Sequence, residues 1–373
     1  MASRRAPIVP MRRRPPTVQR QSLPPGRRIL VVSDVHGNLP YLRGLLEKAH
    51  FSEEDILVLD GDLLEKGQKS LDTLRWVIEL GKTHEIHAVS GNCDWWIPLL
   101  FELGSPEDNR WYLNAKPYCL LRQMCEELGI PVTPDMDFIA ARDACAAAFP
   151  EEFDFLRACP EIIETERFLF VHGGLPEGDP AEWDAWKCMK YDHFLTTDRH
   201  FDKWVIVGHW PVMLYHESIV DANPIIDYEK KIASIDGGCV LKDDGQLNAL
   251  VIPADGSENF SFVAYDPFPT AVVKTPQAAS ARSYYIRWGD AEVQVLERGT
   301  EFSRIRHVRT GYEMEVLTKY LKGDGEFCTV NDCTDYVLPL SPGDTVSVVE
   351  TTSRGYFVKH NGISGWYFGA LEF

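Results

Sequence analysis

Five short apolar runs in the first 210 residues are each followed, within three positions, by a side chain that can bind a metal ion. The runs cover residues 29–33, 56–59, 86–90, 168–171 and 204–207. Their β-branched, apolar character predicts buried strands. Helical patterns follow the first two runs, and repeated strand–loop–helix units predict an α/β fold. The strands should be largely parallel, with functional loops at their carboxyl ends.

The side chains that follow these runs share the chemistry of a metal site. Carboxylate, imidazole and amide groups together suit Mn, Fe, Zn or Co, and no cysteine ligand is required. Each motif alone is weak evidence, but five in order predict a dinuclear metal centre. The candidate ligands are Asp34, His36, Asp62, Asn92, His172 and His209.

The charge of the chain narrows the range of partners. It carries 38 basic and 56 acidic residues, a formal net charge of −18. Such a surface repels nucleic-acid phosphates, so nucleic acid is not an expected partner. No apolar run approaches the roughly 20 residues that cross a bilayer, so we expect no membrane partner.

The N-terminal segment has a different composition from the remainder. Residues 1–28 contain eight arginines and six prolines but no acidic residue. We interpret residues 1–27 as a disordered basic tail, with an organellar transit peptide as the alternative. The nine cysteines form no CxxC pair and no secretory signal precedes them, which predicts reduced thiols in a cytoplasmic protein.

The remaining chain divides into two predicted domains. Residues 28–265 form the α/β domain, with a helical cap insertion at about 95–165 and later strands at 232–235, 247–252 and 260–265. Residues 266–282 are a predicted linker. Residues 283–373 contain short β-rich runs separated by glycine and polar turns, typical of a small all-β domain.

The ordered motifs DVHGN, GDLLE, GNCD, VHGG and GHWP resemble those of the calcineurin-like metallophosphoesterase superfamily. The resemblance covers about residues 28–265 and is closest to the branch of serine/threonine protein phosphatases and symmetrical dinucleoside tetraphosphatases. It implies a layered αββα sandwich and hydrolysis by a metal-activated hydroxide. It also implies that Asp34, His36 and Asp62 bind one ion, and that Asp62 bridges to a second held by Asn92, His172 and His209. Two divalent ions are expected, with Mn as the first choice and Fe, Zn or Co as alternatives.

Two departures from the family pattern concern the catalytic residues. Lys66 replaces a phosphate-binding arginine, and we assign it with Asn92 to substrate binding, although a solvated loop lysine is the alternative. Cys93 and Glu65 replace the histidine that is proposed to protonate the leaving group and the aspartate that orients it. A thiol with a pKa near 8.5 is a poor acid at neutral pH, so substrates with acidic leaving groups are favoured. The candidate catalytic residues are Asp62, Asn92, Cys93, Asp94 and Glu65.

Several other side chains leave alternatives open. His193, His200 and His216 could replace the missing proton donor or be ordinary surface residues. Trp95 and Trp96 could stack on a base or pack against the cap. The sequence GISGW at residues 362–366 resembles bacterial SH3-like modules, which implies either peptide or cell-wall binding or a role as a lid or in self-association.

The combined prediction is a metal-dependent phosphoric ester hydrolase that acts on a phosphorylated substrate. Phosphomonoesters of proteins or small molecules are the first expectation. A dinucleoside polyphosphate or a phosphodiester is the alternative within this class. A weakly catalytic metal-binding sensor or scaffold is the alternative outside it.

Overall fold

The chain folds into two compact units, and the structure, a computed structural model, describes residues 14–373. The first unit comprises the described residues up to Trp210 together with Pro224–Leu241 and Gln246–Tyr265. The second comprises Pro211–Asn223, Lys242–Gly245 and Asp266–Phe373. The second unit thus takes in both the predicted linker, residues 266–282, and the predicted β-rich domain from residue 283, together with two shorter segments that precede residue 266.

Two sheets form the centre of the first unit. In chain order, the strands up to residue 265 are β1 (Val18–Arg20), β2 (Ile29–Val32), β3 (Ile56–Asp60), β4 (Glu85–Val89), β5 (Ile162–Glu164), β6 (Phe168–Phe170), β7 (Trp204–Val207), β8 (Val220–Asp221), β9 (Ile225–Asp227), β10 (Ile232–Ser234), β11 (Leu247–Ile252) and β12 (Ser261–Tyr265). One sheet has the order β12-β11-β2-β3-β4 and the other β1-β5-β6-β7-β10-β9. Strands β2, β3 and β4 are parallel, as are β6, β7 and β10.

Alternating side chains assign the strands to layers. Ile29 and Val31 of β2 belong to a core cluster that also contains Phe170 and Ile206 of the other sheet, so the two sheets face each other. The intervening residues of β2, such as Leu30, join a second cluster with helices on the outer face. A third cluster covers the far side of the second sheet. This arrangement confirms the predicted αββα layers.

Eight α-helices lie in the first unit among the described residues. They are α1 (Leu39–Lys48), α2 (Ser70–Leu80), α3 (Asn92–Leu103), α4 (Pro106–Ala115), α5 (Leu120–Glu127), α6 (Phe138–Ala148), α7 (Pro150–Ala158) and α8 (Ala185–Met189). Helices α3–α7 occupy the segment predicted as a helical cap. Apolar residues of these helices share one core cluster with α1 and α2, so the insertion packs on the outer face of the first sheet.

The predicted disordered tail is only partly covered by the structure. Residues 1–13 lie outside the described residues. Residues 14–27 differ from the expectation, because Val18–Arg20 forms β1, which pairs in parallel with β5. Glu161, which is buried, binds the Arg14 side chain and accepts a 2.7 Å hydrogen bond from the backbone N–H of Thr17. A parallel pairing over about 144 positions leaves no local signal in the sequence.

The second unit consists almost entirely of strands, which agrees with a small all-β domain. After β8 these are β13 (Thr270–Val273), β14 (Tyr285–Ile286), β15 (Glu292–Glu297), β16 (Phe302–His307), β17 (Glu313–Leu317), β18 (Leu321–Lys322), β19 (Phe327–Val330), β20 (Cys333–Thr334), β21 (Thr345–Thr351), β22 (Tyr356–His360), β23 (Ile363–Tyr367) and β24 (Leu371–Glu372). They form antiparallel sheets in the orders β24-β13-β21-β22-β23-β8, β14-β20 and β17-β16-β15-β19-β18. The predicted linker contains β13, which lies inside the first of these sheets.

Within residues 14–373, no helix has both the length and the apolar character that crossing a bilayer requires.

Candidate active site

The predicted ligands lie on loops at the carboxyl ends of five strands of the first unit. Asp34 follows β2, Asp62 follows β3 and Asn92 opens helix α3 after β4. His172 follows β6 and His209 follows β7 in the opposite sheet. Both sheets thus direct their functional loops to one edge of the sandwich, as the sequence predicts.

Asp62 is the centre of the cluster. Its Oδ1 lies 3.4 Å from Nε2 of His172, and its Oδ2 lies 3.8 Å from Nε2 of His36. The same His36 nitrogen is 3.6 Å from Oδ1 of Asp34. The backbone N–H of Cys93 donates a 2.8 Å hydrogen bond to Oδ1 of Asp62. These contacts bring together side chains from β2, β3 and β6 with the N-terminus of α3.

Backbone carbonyls orient two of the imidazoles. Nδ1 of His172 lies 2.8 Å from the carbonyl oxygen of Asp60, and Nδ1 of His36 lies 3.3 Å from that of Leu64. A carbonyl only accepts, so Nδ1 carries the proton and Nε2 is left as a lone-pair donor. Both Nε2 atoms face the Asp62 carboxylate, which is the orientation expected of metal ligands.

His209 is held from two sides. Its backbone N–H donates a 2.9 Å hydrogen bond to Oδ2 of Asp34, and its Nε2 lies 2.9 Å from Oδ1 of Asp192. Its ring lies 5.4 Å from that of His172, measured between centroids. Since Asp192 engages Nε2, Nδ1 is the ring nitrogen that could act as a ligand.

Four of the six predicted ligands have an unusual backbone conformation. Asp34, His36, Asp62 and His209 have φ values of 55°, 51°, 49° and 64°. A positive φ is uncommon for residues other than glycine and costs on the order of 1–3 kcal/mol each. Such strain is typical of functional sites, because the surrounding structure must enforce it.

Glycines allow the ligand loops to approach one another closely. A Cβ atom on Gly91 would lie 2.1 Å from the backbone nitrogen of Asp62. A Cβ atom on Gly208 would lie 2.4 Å from Oδ2 of Asp34. Neither position has room for a side chain, which explains why glycine precedes both Asn92 and His209.

Burial and mutual charge shift the pKa values of the cluster. Burial would lower the pKa of His172, but the carboxylates of Asp62 and Asp34 outweigh it and raise the pKa to about 10. Without a metal ion, Nε2 of His172 therefore also holds a proton, which a bound ion would displace to reach the lone pair. Burial, together with the nearby Lys66, lowers the pKa of His36 to about 3. Burial raises the pKa of Asp34 to about 6. Crowded carboxylates and imidazoles in one buried space are stabilised by divalent cations.

Unsatisfied buried atoms provide a direct test of whether metal ions fit. Oδ1 of Asp34, Oδ1 of Asn92 and Nε2 of His172 are buried without a hydrogen-bond partner among the described residues. Such atoms are rare in folded proteins and call for an unseen partner such as an ion. All three are lone-pair donors of the types that Mn, Fe, Zn and Co accept. The donor set therefore fits divalent metal ions.

The predicted substrate and acid positions also lie at the cluster. Nζ of Lys66 is 3.2 Å from Nε2 of His36, although the lysine is exposed, so its assignment to substrate binding stays a prediction. Potential ligand atoms of Cys93, His36 and Asp62 lie within 4.8 Å of one another. The Asn92 side-chain N–H donates to Sγ of Cys93 at 3.3 Å. Burial and the Asp62 charge raise the pKa of the Cys93 thiol well above its usual value.

Asp94 organises the backbone around the metal loops. Its carboxylate accepts hydrogen bonds of 3.1, 3.0 and 3.2 Å from the backbone N–H groups of Leu63, Leu64 and Gly91. These bonds join the loop that follows β3 to the beginning of α3. The described contacts of Asp94 are thus with backbone, and a catalytic role for it stays a prediction.

Glu65 is directed toward the helical insertion. Its carboxylate accepts hydrogen bonds from the Tyr112 hydroxyl and, at 2.9 Å, from the backbone N–H of Leu120. Burial raises its pKa to about 7. Within residues 14–373, no hydrogen bond joins Glu65 to Cys93, and a catalytic role for either residue stays a prediction.

Sequence reasoning missed several residues of the site. Asp236 is buried and follows β10; one of its oxygens lacks a partner among the described residues, and burial and the Asp34 charge raise its pKa. The strand-end rule that identified the other ligands would also have identified Asp236. By contrast, Asp192 and Tyr112 lie on segments without a strand-end signal, and only the fold brings them to the site.

The structure also shows contacts of the remaining candidates, whose roles stay predictions. Trp95 lies 5.8 Å from Trp186 between ring centroids, and the Arg14 guanidinium is 5.5 Å from the Trp95 centroid. His193 packs on Trp210, with 3.9 Å between ring centroids, and His200 is an exposed residue 3.5 Å from Glu229. His216 belongs to the second unit.

An αββα sandwich with carboxylates and imidazoles at its loop edge has the donor groups that metal-dependent phosphoesterases use. A family model described as Calcineurin-like phosphoesterase matches residues 27–236. The chain belongs to this family, which typically binds two divalent metal ions. Membership confirms the class predicted from the sequence, the metal-dependent phosphoric ester hydrolases.

Individual relatives were also found. The chain is 32% identical over 158 residues to the symmetrical bis(5'-nucleosyl)-tetraphosphatase of Actinobacillus succinogenes, covering 41% of this chain and 47% of that protein. It is 43% identical over 155 residues to the enzyme of the same name from Vibrio parahaemolyticus, covering 41% and 46%. The chain thus spans about half the length of the curated relatives it matches.

Solved structures resemble the chain more distantly. The cold-active protein-tyrosine phosphatase of a psychrophilic Shewanella species covers 66% of this chain, with 82% of its own length matched. Its sequence identity is 14% and its TM-score is 0.40.

Proposed function

We propose that the protein is a two-metal phosphohydrolase whose centre is the Asp62 cluster. Asp34, His36 and Asp62 would hold one ion, and Asp62, Asn92, His172 and His209 a second. The observation that carries the proposal is the set of buried donor atoms on Asp34, Asn92 and His172 that lack hydrogen-bond partners among the described residues. Mn is the proposed metal, since carboxylate, amide and imidazole donors suit it.

When bound, two divalent ions supply Lewis-acid polarisation of the phosphoryl oxygens and an activated water as nucleophile. The protein residues supply position and charge. The Asp60 and Leu64 carbonyls fix the imidazole tautomers of His172 and His36. Lys66, beside His36, is proposed to bind a non-bridging phosphoryl oxygen as a point charge.

The proposed substrate class is dinucleoside polyphosphates. Cys93 occupies the position proposed for a general acid, and its raised pKa makes it a poor proton donor at neutral pH. A nucleotide released from an anhydride leaves as a weakly basic phosphate and needs little protonation. The names of the relatives, symmetrical bis(5'-nucleosyl)-tetraphosphatases, support the same class.

Phosphomonoesters are the second candidate substrate. Lys66 favours them, because its ammonium group lies close to His36 and could bind a terminal phosphate with two or three free oxygens. Monoesters with acidic leaving groups, such as aryl phosphates, need less protonation of the leaving group than alkyl esters do. We therefore expect the weakly acidic thiol at position 93 to slow their hydrolysis less.

One comparison tests the proposal. The protein, purified and loaded with Mn²⁺, is assayed with diadenosine tetraphosphate, p-nitrophenyl phosphate, bis-p-nitrophenyl phosphate and a phosphopeptide, and its metal content is measured. We expect two ions per chain and the highest kcat/KM with diadenosine tetraphosphate. Asp62→Asn should abolish turnover, whereas Asp72→Asn, on the exposed side of α2, should not. Absence of turnover with all four substrates despite two bound ions would support the sensor alternative instead.

We further propose a cytoplasmic location and an SH3-like character for the second unit. All nine cysteines are free thiols, which suits a reducing compartment. The glycine–tryptophan pair Gly365–Trp366 lies in β23 of the six-stranded sheet. Binding of a peptide or self-association is the proposed role of this unit.

A further inference from the structure

The side chain of Cys93 lies beside two of the proposed metal ligands. Potential ligand atoms of Cys93, His36 and Asp62 lie within 4.8 Å of one another. The two ligands are buried and the cysteine is half-buried. Within residues 14–373, no other cysteine belongs to a group of this kind. Cys93 is thus the cysteine whose sulfur could reach an ion at the proposed centre.

The beginning of helix α3 fixes the position of Cys93. Its backbone N–H donates a 2.8 Å hydrogen bond to Oδ1 of Asp62, which holds the cysteine next to the carboxylate that would bridge two ions. The side-chain N–H of Asn92 donates to Sγ of Cys93 at 3.3 Å. Oδ1 of Asn92 is buried and lacks a hydrogen-bond partner among the described residues. The Asn92 amide can therefore offer its oxygen to one ion and its N–H to a sulfur that binds another.

The three donor atoms are close enough to share one ion after a small movement. Zinc bonds to nitrogen and oxygen are about 2.0–2.2 Å long and bonds to sulfur about 2.3 Å, so donors around one tetrahedral ion lie about 3.3–3.8 Å apart. Nε2 of His36 already lies 3.8 Å from Oδ2 of Asp62. The largest separation in the group, at most 4.8 Å, reaches this range if the side chains move by about 1 Å.

A positively charged group already lies at this face of His36. Nζ of Lys66 is 3.2 Å from Nε2 of His36, and Nδ1 of the same ring faces the Leu64 carbonyl at 3.3 Å. Nε2 therefore offers its lone pair to the lysine ammonium, as it would to a metal ion. Because Lys66 is exposed, its ammonium group can move into solvent when an ion takes its place.

The chemistry of sulfur determines which ions such a group prefers. Thiolates are soft ligands that favour Zn²⁺ and similar ions, whereas Mn²⁺ prefers carboxylate, carbonyl and water oxygens. A site of given nitrogen, oxygen and sulfur ligands also binds Zn²⁺ more tightly than Mn²⁺ in general. A cysteine beside a carboxylate and an imidazole therefore increases the difference in affinity between the two ions.

We propose that Sγ of Cys93 binds a thiophilic divalent ion such as Zn²⁺ together with His36 and Asp62. This inference rests on the proposed function and deepens it, because it assigns a metal-selecting residue to the same centre. The ion replaces the proton of the thiol, the proton passes to solvent, and no electrons are exchanged. With Mn²⁺ the sulfur stays a thiol, and the oxygen and nitrogen donors hold the ion.

A spectroscopic titration tests the sulfur ligand without turnover. Co²⁺ added to the metal-free, full-length protein should produce the near-ultraviolet charge-transfer absorption of a cobalt–thiolate bond. Cys328→Ser, in the second unit, is the matched control and should retain this absorption. Cys93→Ser should bind Co²⁺, measured by equilibrium dialysis, without it. Bound Co²⁺ without the band in the wild-type protein, or a band that persists in Cys93→Ser, would overturn the assignment.

X-ray absorption at the zinc edge covers the case in which Cys93→Ser does not fold, because it needs no variant. The spectrum of the zinc-loaded wild-type protein should show a sulfur neighbour at about 2.3 Å in addition to nitrogen and oxygen neighbours. Nitrogen and oxygen neighbours alone would remove Cys93 from the proposed site.

Metal affinities separate a ligand from a residue that only supports the fold. Cys93→Ser should weaken Zn²⁺ binding at least about tenfold and change Mn²⁺ binding less than about threefold, because serine lacks the soft donor. Competition with a chelating dye measures both affinities. An equal loss for the two ions would give Cys93 a purely structural role and overturn the proposal.

These measurements keep the inference distinct from the catalytic proposal. If Zn²⁺ binds through sulfur but the Mn²⁺-loaded protein hydrolyses none of the four substrates, the proposed function fails and the sulfur ligand stands. If the protein hydrolyses diadenosine tetraphosphate but neither Zn²⁺ nor Co²⁺ has a sulfur ligand, the sulfur ligand fails and the proposed function stands.

Discussion

The backbone N–H of His209 donates a 2.9 Å hydrogen bond to Oδ2 of Asp34, although 175 positions separate the two residues. The bond joins the loop after β7 in one sheet to the loop after β2 in the other. Oδ1 of the same carboxylate is buried without a hydrogen-bond partner among the described residues. One oxygen of Asp34 thus holds the two sheets' loops together, and the other is left for a ligand.

Because the two carboxylate oxygens of Asp34 have different roles, we expect two substitutions of this residue to have different effects. Asp34→Asn retains an acceptor for the His209 N–H but weakens the ligand, so we expect bound metal to decrease and turnover to fall by at least about 100-fold. Asp34→Ala removes both functions and should also lower the melting temperature of the metal-free protein. Metal analysis and thermal unfolding in EDTA check this. Equal melting temperatures for the two variants would contradict the loop-joining role.

Gly208 should not tolerate a side chain. A Cβ atom there would lie 2.4 Å from Oδ2 of Asp34 and 2.6 Å from Oγ of Ser33. We expect Gly208→Ala to destabilise the protein by about 1–3 kcal/mol and to reduce metal binding, because the clash displaces a ligand. Gly81→Ala, where the nearest atom would be 3.4 Å away, is the control. Urea unfolding that gives the same midpoint for both variants would argue against this packing.

Asp192 is expected to tune metal affinity through His209. It contacts Nε2 of that histidine, and outer-shell partners of ligands typically change affinity by about 10- to 100-fold. Asp192→Asn should therefore weaken Mn²⁺ binding by that factor with little change in fold stability. Asp198→Asn, an exposed residue nearby in sequence, should behave like the wild type. Competition with a chelating dye measures the affinities.

Restoring an imidazole at position 93 should improve catalysis with poor leaving groups. Cys93→His places a group with a pKa near 6.5 where the thiol is a weak acid, and general acid catalysis contributes about 10²- to 10⁴-fold. We expect a higher kcat for alkyl phosphomonoesters and a smaller change for diadenosine tetraphosphate. Cys328→Ser, in the second unit, serves as the cysteine control. A fall in monoester turnover would show that position 93 is not the acid position.

Glu65 should make stability depend on pH. Burial raises its folded-state pKa to about 7 from the usual 4.5, so the folded protein holds the Glu65 proton more tightly than the unfolded chain does. The resulting contribution to the free energy of unfolding is complete below about pH 4.5. It is lost as pH rises through about 7, by on the order of 3 kcal/mol. Glu65→Gln should flatten this decrease between pH 5.5 and 8 in metal-free protein. The Tyr112 hydroxyl can accept a hydrogen bond from the new amide. Exposed Glu54→Gln should retain the wild-type slope in urea unfolding.

Strands and ligand positions could be predicted from sequence because their signals are local. In β2, consecutive buried residues from Ile29 to Val32 alternate between two cores, and a parallel sheet places the loop after each strand at one edge. The two strands β1 and β5 could not be predicted in the same way. Val18–Arg20 is exposed along its length and is ordered by a partner strand far along the chain.

The hydrogen-bond partners of Glu65 could not be predicted from the sequence either. The family pattern implies that Glu65 orients the residue at position 93, whereas the carboxylate bonds to Tyr112 and Leu120 of the helical insertion. Nothing in the local sequence determines which way a buried carboxylate turns. That depends on donors supplied by a segment about 50 residues away.

Segments of the two units alternate along the sequence, which limits where the gene can be truncated. Pro211–Asn223 belongs to the second unit, and its strand β8 pairs with β23 near the C-terminus. A stop codon after residue 265 would strip β8 of that partner and leave Val220, now 2% exposed, open to water. Expression trials should therefore keep residues 211–223 and 266–373 in one polypeptide.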